Sequence, residues 1–396
     1  MRDTAATRAT DEPIRRGDLN GTFAMEAEAE MSNARSKERQ EQIREYGLPA
    51  AESIRDRSMT LFTRGRWRYN SGTFMNCDFL EDMRDLGGQD VAILGVPYDG
   101  GTTFRPGTRF GPQAMRRISG LTGGYNPGDG IDLGEAITIV DTGDVSIIPS
   151  NIEKSFDQIA RAVSYCAERE VFPIVLGGDH AIGYPDVRGL APYIDGNIGI
   201  IHFDRHSDLS EYSMDERMHG SPFFHATNIP NAPGSNLVQI GIGGWTGSRE
   251  GLKVARERNS TVMTVADVER YGTERIIEYA LEIAWKNAKA VWISFDVDSI
   301  DPAFTPGTGT PMAGGLMPRE VFRMIRGIAS EGLVGMEVVE VAPPYDVADN
   351  TALVGVHGVL DALSAMVMAG KLGRKQPEAA TEAAQASASN EADRRA

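Results

Sequence analysis

The 396-residue sequence reads as an α/β protein, a parallel sheet covered by helices on both faces. Short apolar runs recur along the chain, and amphipathic helical stretches separate several of them. Clusters of Asp, His and Glu stand at the ends of four of the runs, where parallel sheets bind ligands.

The first strand is VAILGV (91–96). A Gly/Pro-rich loop, FRPGTRFGP (104–112), follows it and reads as a tight turn, with a pocket wall as the alternative. EKSFDQIARAVSYCAERE (153–170) has helical amphipathic spacing. PIVLGG (173–178) is the next buried strand, and its two glycines permit a sharp turn into His180. NIGIIHFD (197–204) runs into Asp204, His206 and Asp208, ligand-grade side chains at every second position. LVQIGI (237–242) is a strand and GTERIIEYALEIAWKNA (272–288) a helix. AVWISFDVD (290–298) sets Asp296 and Asp298 two apart in an apolar strand. A helix over PREVFRMIRGIASEG (318–332) leads to VGMEVVEVA (334–342), which carries Glu340.

Residues 71–372 therefore read as one catalytic domain. Residues 1–70 form an N-terminal extension, partly mobile or packed on a neighbouring subunit, with room for a charged helix over 27–47. Residues 373–396 are nearly devoid of aromatic and β-branched residues and read as a disordered tail.

Composition narrows the function. The 40 Lys+Arg against 56 Asp+Glu give a net charge of -16, which argues against nucleic acid or an anionic membrane as partner. Two distant cysteines, Cys77 and Cys166, exclude a disulfide framework and fit a reducing cytoplasm. No unbroken apolar run reaches the roughly 20 residues of a spanning helix, and the polar N-terminus is unlike a secretory signal.

Alternate residues of an extended chain point to one side. Asp204, His206 and Asp208 would then crowd one patch, which is unfavourable unless a cation lies between them. Each cluster alone has an innocuous explanation as a turn, a cap or an outward strand residue. Jointly, His180, Asp204, His206, Asp208, Asp296 and Asp298 offer six nitrogen and oxygen donors without sulfur, more than one tetrahedral zinc needs. They suit two divalent ions such as Mn²⁺ or Ni²⁺.

The segments GGDH, DRHSD and SFDVDSIDP resemble the three metal-binding signatures of the ureohydrolase superfamily, over about residues 85–370. Arg205 departs from the commoner Asp-Ala-His-x-Asp form. The resemblance implies a three-layer α/β/α fold with an eight-stranded parallel sheet, trimers or hexamers, and hydrolysis of a guanidino compound to urea and an amine by a hydroxide held between two metals. It makes Asp204 and Asp296 bridging carboxylates, with His180 and Asp208 completing one metal's shell and His206 and Asp298 the other's. His219 in MHGSPF becomes the proton shuttle, and Glu340 the acid that anchors the guanidinium. Arg205, residues 215–228, GIGGW (241–245) and the long extension look most like the branch of guanidine and metformin hydrolases. An agmatinase or guanidinobutyrase-like enzyme is the alternative, and a non-catalytic partner of a heteromeric ureohydrolase the second. Arg205 reads as an exposed-loop or subunit-contact residue rather than a substrate contact. Trp245 reads equally as a cap on the substrate or a subunit contact.

Overall fold

Nine strands form one all-parallel sheet in the computed structural model, which describes residues 72–373 except Ser213, Thr246 and Ser248. The extension expected at 1–70, the helix expected at 27–47 and all of the tail but Gly373 lie outside the described residues. In chain order the strands are β1 (Asp78–Phe79), β2 (Val91–Val96), β3 (Tyr125–Asn126), β4 (Ile131–Asp132), β5 (Ile139–Asp144), β6 (Phe172–Gly177), β7 (Asn197–Phe203), β8 (Leu237–Ile242), β9 (Thr261–Thr264), β10 (Ala288–Asp296) and β11 (Gly335–Val339). The large sheet is ordered β1-β5-β2-β6-β11-β10-β7-β8-β9, and β3 with β4 makes a separate antiparallel ribbon. Eight strands of four or more residues thus match the expected number, and the two-residue β1 is added at the edge.

The period of two splits the strand residues between two cores. Val91 and Ile93 of β2 face one side, with helices Gly111–Ser119, Thr273–Ala284, Pro318–Ala329 and Asn350–Met368. Ala92, Leu94 and Val96 face the other, under helices Ile152–Glu168, Gly183–Leu190 and Arg249–Glu257. Two apolar faces on one sheet demand two covering layers. Helix Asn350–Met368 is long and apolar enough to cross a membrane, with a mean hydropathy of 1.6. Yet 72% of that stretch is buried inside the protein, and it supplies Val356, Val359 and Leu363 to the first core.

Register brings the strand ends level. Leu176, Val338, Phe295, Phe203 and Ile240 form one row across β6, β11, β10, β7 and β8. One residue beyond this row stand Asp296 and Asp204, and two beyond it Glu340. The four central neighbours β6, β11, β10 and β7 therefore deliver every predicted ligand to one end of the sheet.

Candidate metal centre

His180 opens a short 3-10 turn after β6, capped by Asp179. Its Nε2 lies 2.7 Å from Ser294 Oγ, which fixes the ring with Nδ1 turned to the aspartates. That Nδ1 is buried without a hydrogen-bond partner. It faces Asp204 Oδ2 at 3.0 Å, Asp208 Oδ2 at 3.1 Å and Asp296 Oδ2 at 3.0 Å. A second focus forms where His206 Nδ1 stands 3.1 Å from Asp298 Oδ2 and 3.3 Å from Asp204 Oδ1. Asp204 thus turns one oxygen to each focus, as a bridging carboxylate must. Asp296 turns its Oδ2 to the first focus, and its Oδ1 accepts the Asp298 amide at 2.8 Å, just as Asp204 Oδ1 accepts the His206 amide at 2.6 Å.

These groups converge by a different route than simple alternation. β7 ends at Phe203, so Asp204, His206 and Asp208 lie in the coil beyond it. Asp208 reaches the first focus with a left-handed backbone (φ 47°), and Glu340 stands just past β11 at φ 65°. Left-handed conformations in non-glycine residues cost on the order of 1–3 kcal/mol and persist where surrounding structure imposes them. Asp298 lies in a 3-10 turn after β10. Its Oδ2 accepts from Thr310 Oγ1 at 3.2 Å.

The electrostatics fit a pair of dications. Burial, with Asp298 and Asp204 adding to it, pushes Asp296 well above the carboxylate range, and burial pushes Asp298 up to about 6. Burial opposes the charged forms of His180 and His206, but the surrounding aspartates outweigh it and raise both well above the usual imidazole value. Asp204 is held well below its ordinary value, because His202, His180 and His206 together overcome its burial. Buried acids that resist ionising, arranged around imidazoles of which His180 Nδ1 has no hydrogen-bond partner, are the donor set that divalent cations satisfy. Among the described residues, two groups have ligand atoms close enough to share an ion: His180, His202, Asp204 and Asp208, and Asp204, His206 and Asp298.

His202 was not anticipated, although HFDRHSD carries the period of two back to it. Its Nε2 is 2.7 Å from Asp204 Oδ2, and its Nδ1 accepts from Gln239 Nε2 at 2.9 Å. It therefore holds Asp204 in place.

Beside the two foci opens a cavity of about 260 Å³, bounded by His206, Asp208, Asp296, Thr103, His219 and Glu340. A larger cleft, about 640 Å³ beside Lys154, Arg161 and Arg188, contains none of the ligand-grade residues. Glu340 Oε1 accepts the His180 amide at 2.9 Å and meets His219 Nδ1 at 2.9 Å, while its Oε2 is buried without a partner. Burial would lower His219, but the adjacent Glu340 carboxylate pushes it up to about 9.

Three expectations change. Arg205 is buried rather than on an exposed loop. Its Nη1 donates to Gly241 O at 2.8 Å and its Nη2 to Ala313 O at 3.4 Å, tying the end of β8 to the loop after β10. It does not border the cavity, and neither does Trp245, which is 98% exposed. The segment 104–112 is not one tight turn: Thr108–Phe110 form a 3-10 helix and helix Gly111–Ser119 begins inside it. Gly107 N donates to Asp99 Oδ2 at 3.0 Å, and Arg109 Nε to Asp99 Oδ1 at 2.6 Å.

Comparison with known proteins agrees with this geometry. The chain is 36% identical over 278 residues to the mitochondrial agmatinase of Gallus gallus, covering 70% of this chain and 81% of that one. It is 32% identical over 286 residues to the guanidinobutyrase of Pseudomonas aeruginosa, covering 72% and 89%. Among solved structures, the proclavaminate amidino hydrolase of Streptomyces clavuligerus superposes with a TM-score of 0.71 at 32% identity, covering 77% of this chain and all of that one. These relatives carry agmatinase and guanidino-acid names rather than guanidine or metformin hydrolase names, so the resemblance holds at the level of the superfamily and its finer branch does not follow from them. With the arginase family model matching residues 89–364, the chain is a member of the arginase family, a metal-dependent hydrolase of guanidino and amidine C–N bonds.

Proposed function

We propose that this protein hydrolyses an alkylguanidine with an agmatine-like tail to urea and an amine. The observation that carries the reading is Glu340, a buried anion with one unpartnered oxygen in the wall of a cavity that two ligand clusters border. A guanidinium is a planar cation with paired N–H donors, and a carboxylate is its natural partner. None of the described residues bordering the cavity is Lys or Arg. A carboxylate tail, as in 4-guanidinobutyrate, would find no cation there, which ranks agmatine above it. The similarity to an agmatinase supports the same choice.

In this reading His180, Asp204 and Asp208 would hold one ion, and His206, Asp204 and Asp298 the other, with Asp296 contributing its carboxylate. Borderline ions such as Mn²⁺ or Ni²⁺ suit the all-nitrogen-and-oxygen set. When bound, the pair supplies Lewis acidity that makes water nucleophilic near neutral pH. Glu340 orients the guanidinium carbon towards that edge of the cavity. His219, kept protonated by Glu340, gives its Nε2 proton to the leaving nitrogen as the C–N bond breaks. Trp245, exposed in the single chain, is assigned to a contact between subunits of a trimer or hexamer.

Urea release from agmatine, 4-guanidinobutyrate, arginine, guanidine and metformin tests the proposal, together with elemental analysis and the solution mass of the purified protein. Agmatine should have the highest kcat/KM, with two divalent ions per chain. Urea from guanidine or metformin alone would overturn the assigned tail, and a protein without stoichiometric metal would be a non-catalytic partner instead.

A further inference from the structure

Nε2 of His219, the nitrogen turned away from Glu340, lies 2.7 Å from Thr103 Oγ1 and 3.2 Å from Thr103 N. Nδ1 of the same ring is 2.9 Å from Glu340 Oε1, so the imidazole is held at both nitrogens. A group that takes up and releases a proton needs a partner at the changing atom that serves both of its states. Most side chains serve one. A carboxylate only accepts, and an ammonium only donates.

Thr103 offers both functions at one point. When Nε2 carries a proton, it donates to the lone pairs of Oγ1, and the Thr103 N–H, whose 3.2 Å contact needs a bare Nε2, is left without that acceptor. When Nε2 is bare, the Thr103 N–H and the rotating hydroxyl donate to it. We propose that Thr103 is the positioning residue that fixes the His219 ring and stabilises both of its protonation states during turnover. The proton accounting is simple. Nε2 loses its proton to the leaving nitrogen, which also keeps the electron pair of the broken C–N bond, and Thr103 turns from acceptor to donor.

The backbone around Thr103 is built to keep it there. Asp179 Oδ2 accepts from Gly101 N at 2.6 Å, and Gly101 O accepts from His219 N at 3.0 Å. A Cβ at Gly101 would lie 2.9 Å from both His219 N and Ala181 Cβ, so only glycine allows this approach. The loop of Thr103, the segment of His219 and the turn of His180 are therefore one hydrogen-bonded unit.

This inference rests on the proton-shuttle reading of His219, and its test keeps the two apart. Thr103→Val and Thr103→Ser are compared in the metal-loaded enzyme by kinetics with agmatine and by NMR of ¹³C-labelled histidine. Only six histidines are present, and His219→Asn assigns the signal. Thr103→Val should lower the proton affinity of His219 about tenfold, reduce kcat about tenfold with KM within about twofold, and shift the alkaline limb of the pH profile down. Thr103→Ser should restore all three. An unchanged titration and kcat in Thr103→Val would overturn the proposal, as would a serine variant as impaired as the valine one. If the titration moves as expected while the wild type cleaves no guanidino compound, the reaction assignment fails and the coupling of Thr103 to His219 stands.

Discussion

Replacing Asp204 by Asn should empty both metal sites at once. Asp204 turns Oδ2 towards His180 Nδ1 (3.0 Å) and Oδ1 towards His206 Nδ1 (3.3 Å), so each focus loses part of the same charge. Removing one partner of a buried charge pair costs about 3–5 kcal/mol. At about 1.4 kcal/mol per decade, that is a loss of roughly two to three and a half orders of magnitude in affinity at each ion. The fold itself should survive, because Asn keeps the shape and an oxygen for the His202 Nε2 proton. Two ions, each at about a hundred times its Kd, stabilise the wild type by roughly 5 kcal/mol, or about 10–15 °C in Tm. Elemental analysis after gel filtration and thermal unfolding with and without EDTA are the assays. The wild type should lose those degrees in EDTA, and Asp204→Asn should start low and not respond. A variant that keeps two ions per chain and an undiminished response to EDTA would refute the bridging role.

Gly309→Ala places a Cβ 3.4 Å from Glu340 Oε2 and 3.0 Å from Arg105 O, so KM for agmatine should rise about tenfold with kcat changing much less; steady-state kinetics show it. Arg205→Ala removes a buried guanidinium from two carbonyls and should cost about 2–4 kcal/mol, seen as a lower midpoint in urea unfolding. For Glu340→Gln the pH dependence is decisive. His219 is raised to about 9 in the folded protein against about 6.5 unfolded, so its contribution is fully present below about pH 6.5 and lost as pH rises through about 9. Urea unfolding between those values should show a slope in the wild type that Glu340→Gln reduces, because the largest pull opposing burial is then gone and only Asp179 and Asp208 still raise the imidazole.

The six candidate metal-binding side chains were legible because their chemistry is improbable in a core. One Asp or His at the end of an apolar run says little, but several such ends in one chain mark a site together. Arg205 misled because a charged residue between Asp204 and His206 looks solvent-facing, whereas its guanidinium reaches inward to Gly241 and Ala313, and that depends on a loop 108 residues away. Two strands towards the sheet's margins also escaped. β5 (IVDTGD) turns polar halfway, and β9 (TVMT) is only four residues long, so neither shows the unbroken apolar run of a central strand. Thr103 and Ser294 gave no signal, since a hydroxyl acquires its role only from the imidazole placed against it.

What holds the ligands is a second polar layer that no single segment reveals. Gln239, His202, Ser294 and Glu337 sit opposite one another across β8, β7, β10 and β11, all buried. Each looks like a lone polar residue inside an apolar strand, an unfavourable choice taken by itself. In register they form a row beneath the candidate metal-binding groups. Gln239 fixes His202, which fixes Asp204, and Ser294 fixes His180. Glu337 ends the row beside Asp186, which burial, with Glu337 adding to it, pushes well above the carboxylate range. The row exists only when β7, β10 and β11 are neighbours, although β8 and β9 separate β7 from β10 along the chain. A single-residue slip of β10 would swap Ser294 for Ile293 or Phe295 beneath His180 and turn Asp296 from the site, so the orientation of the first ligand depends on strand register as much as on ligand identity.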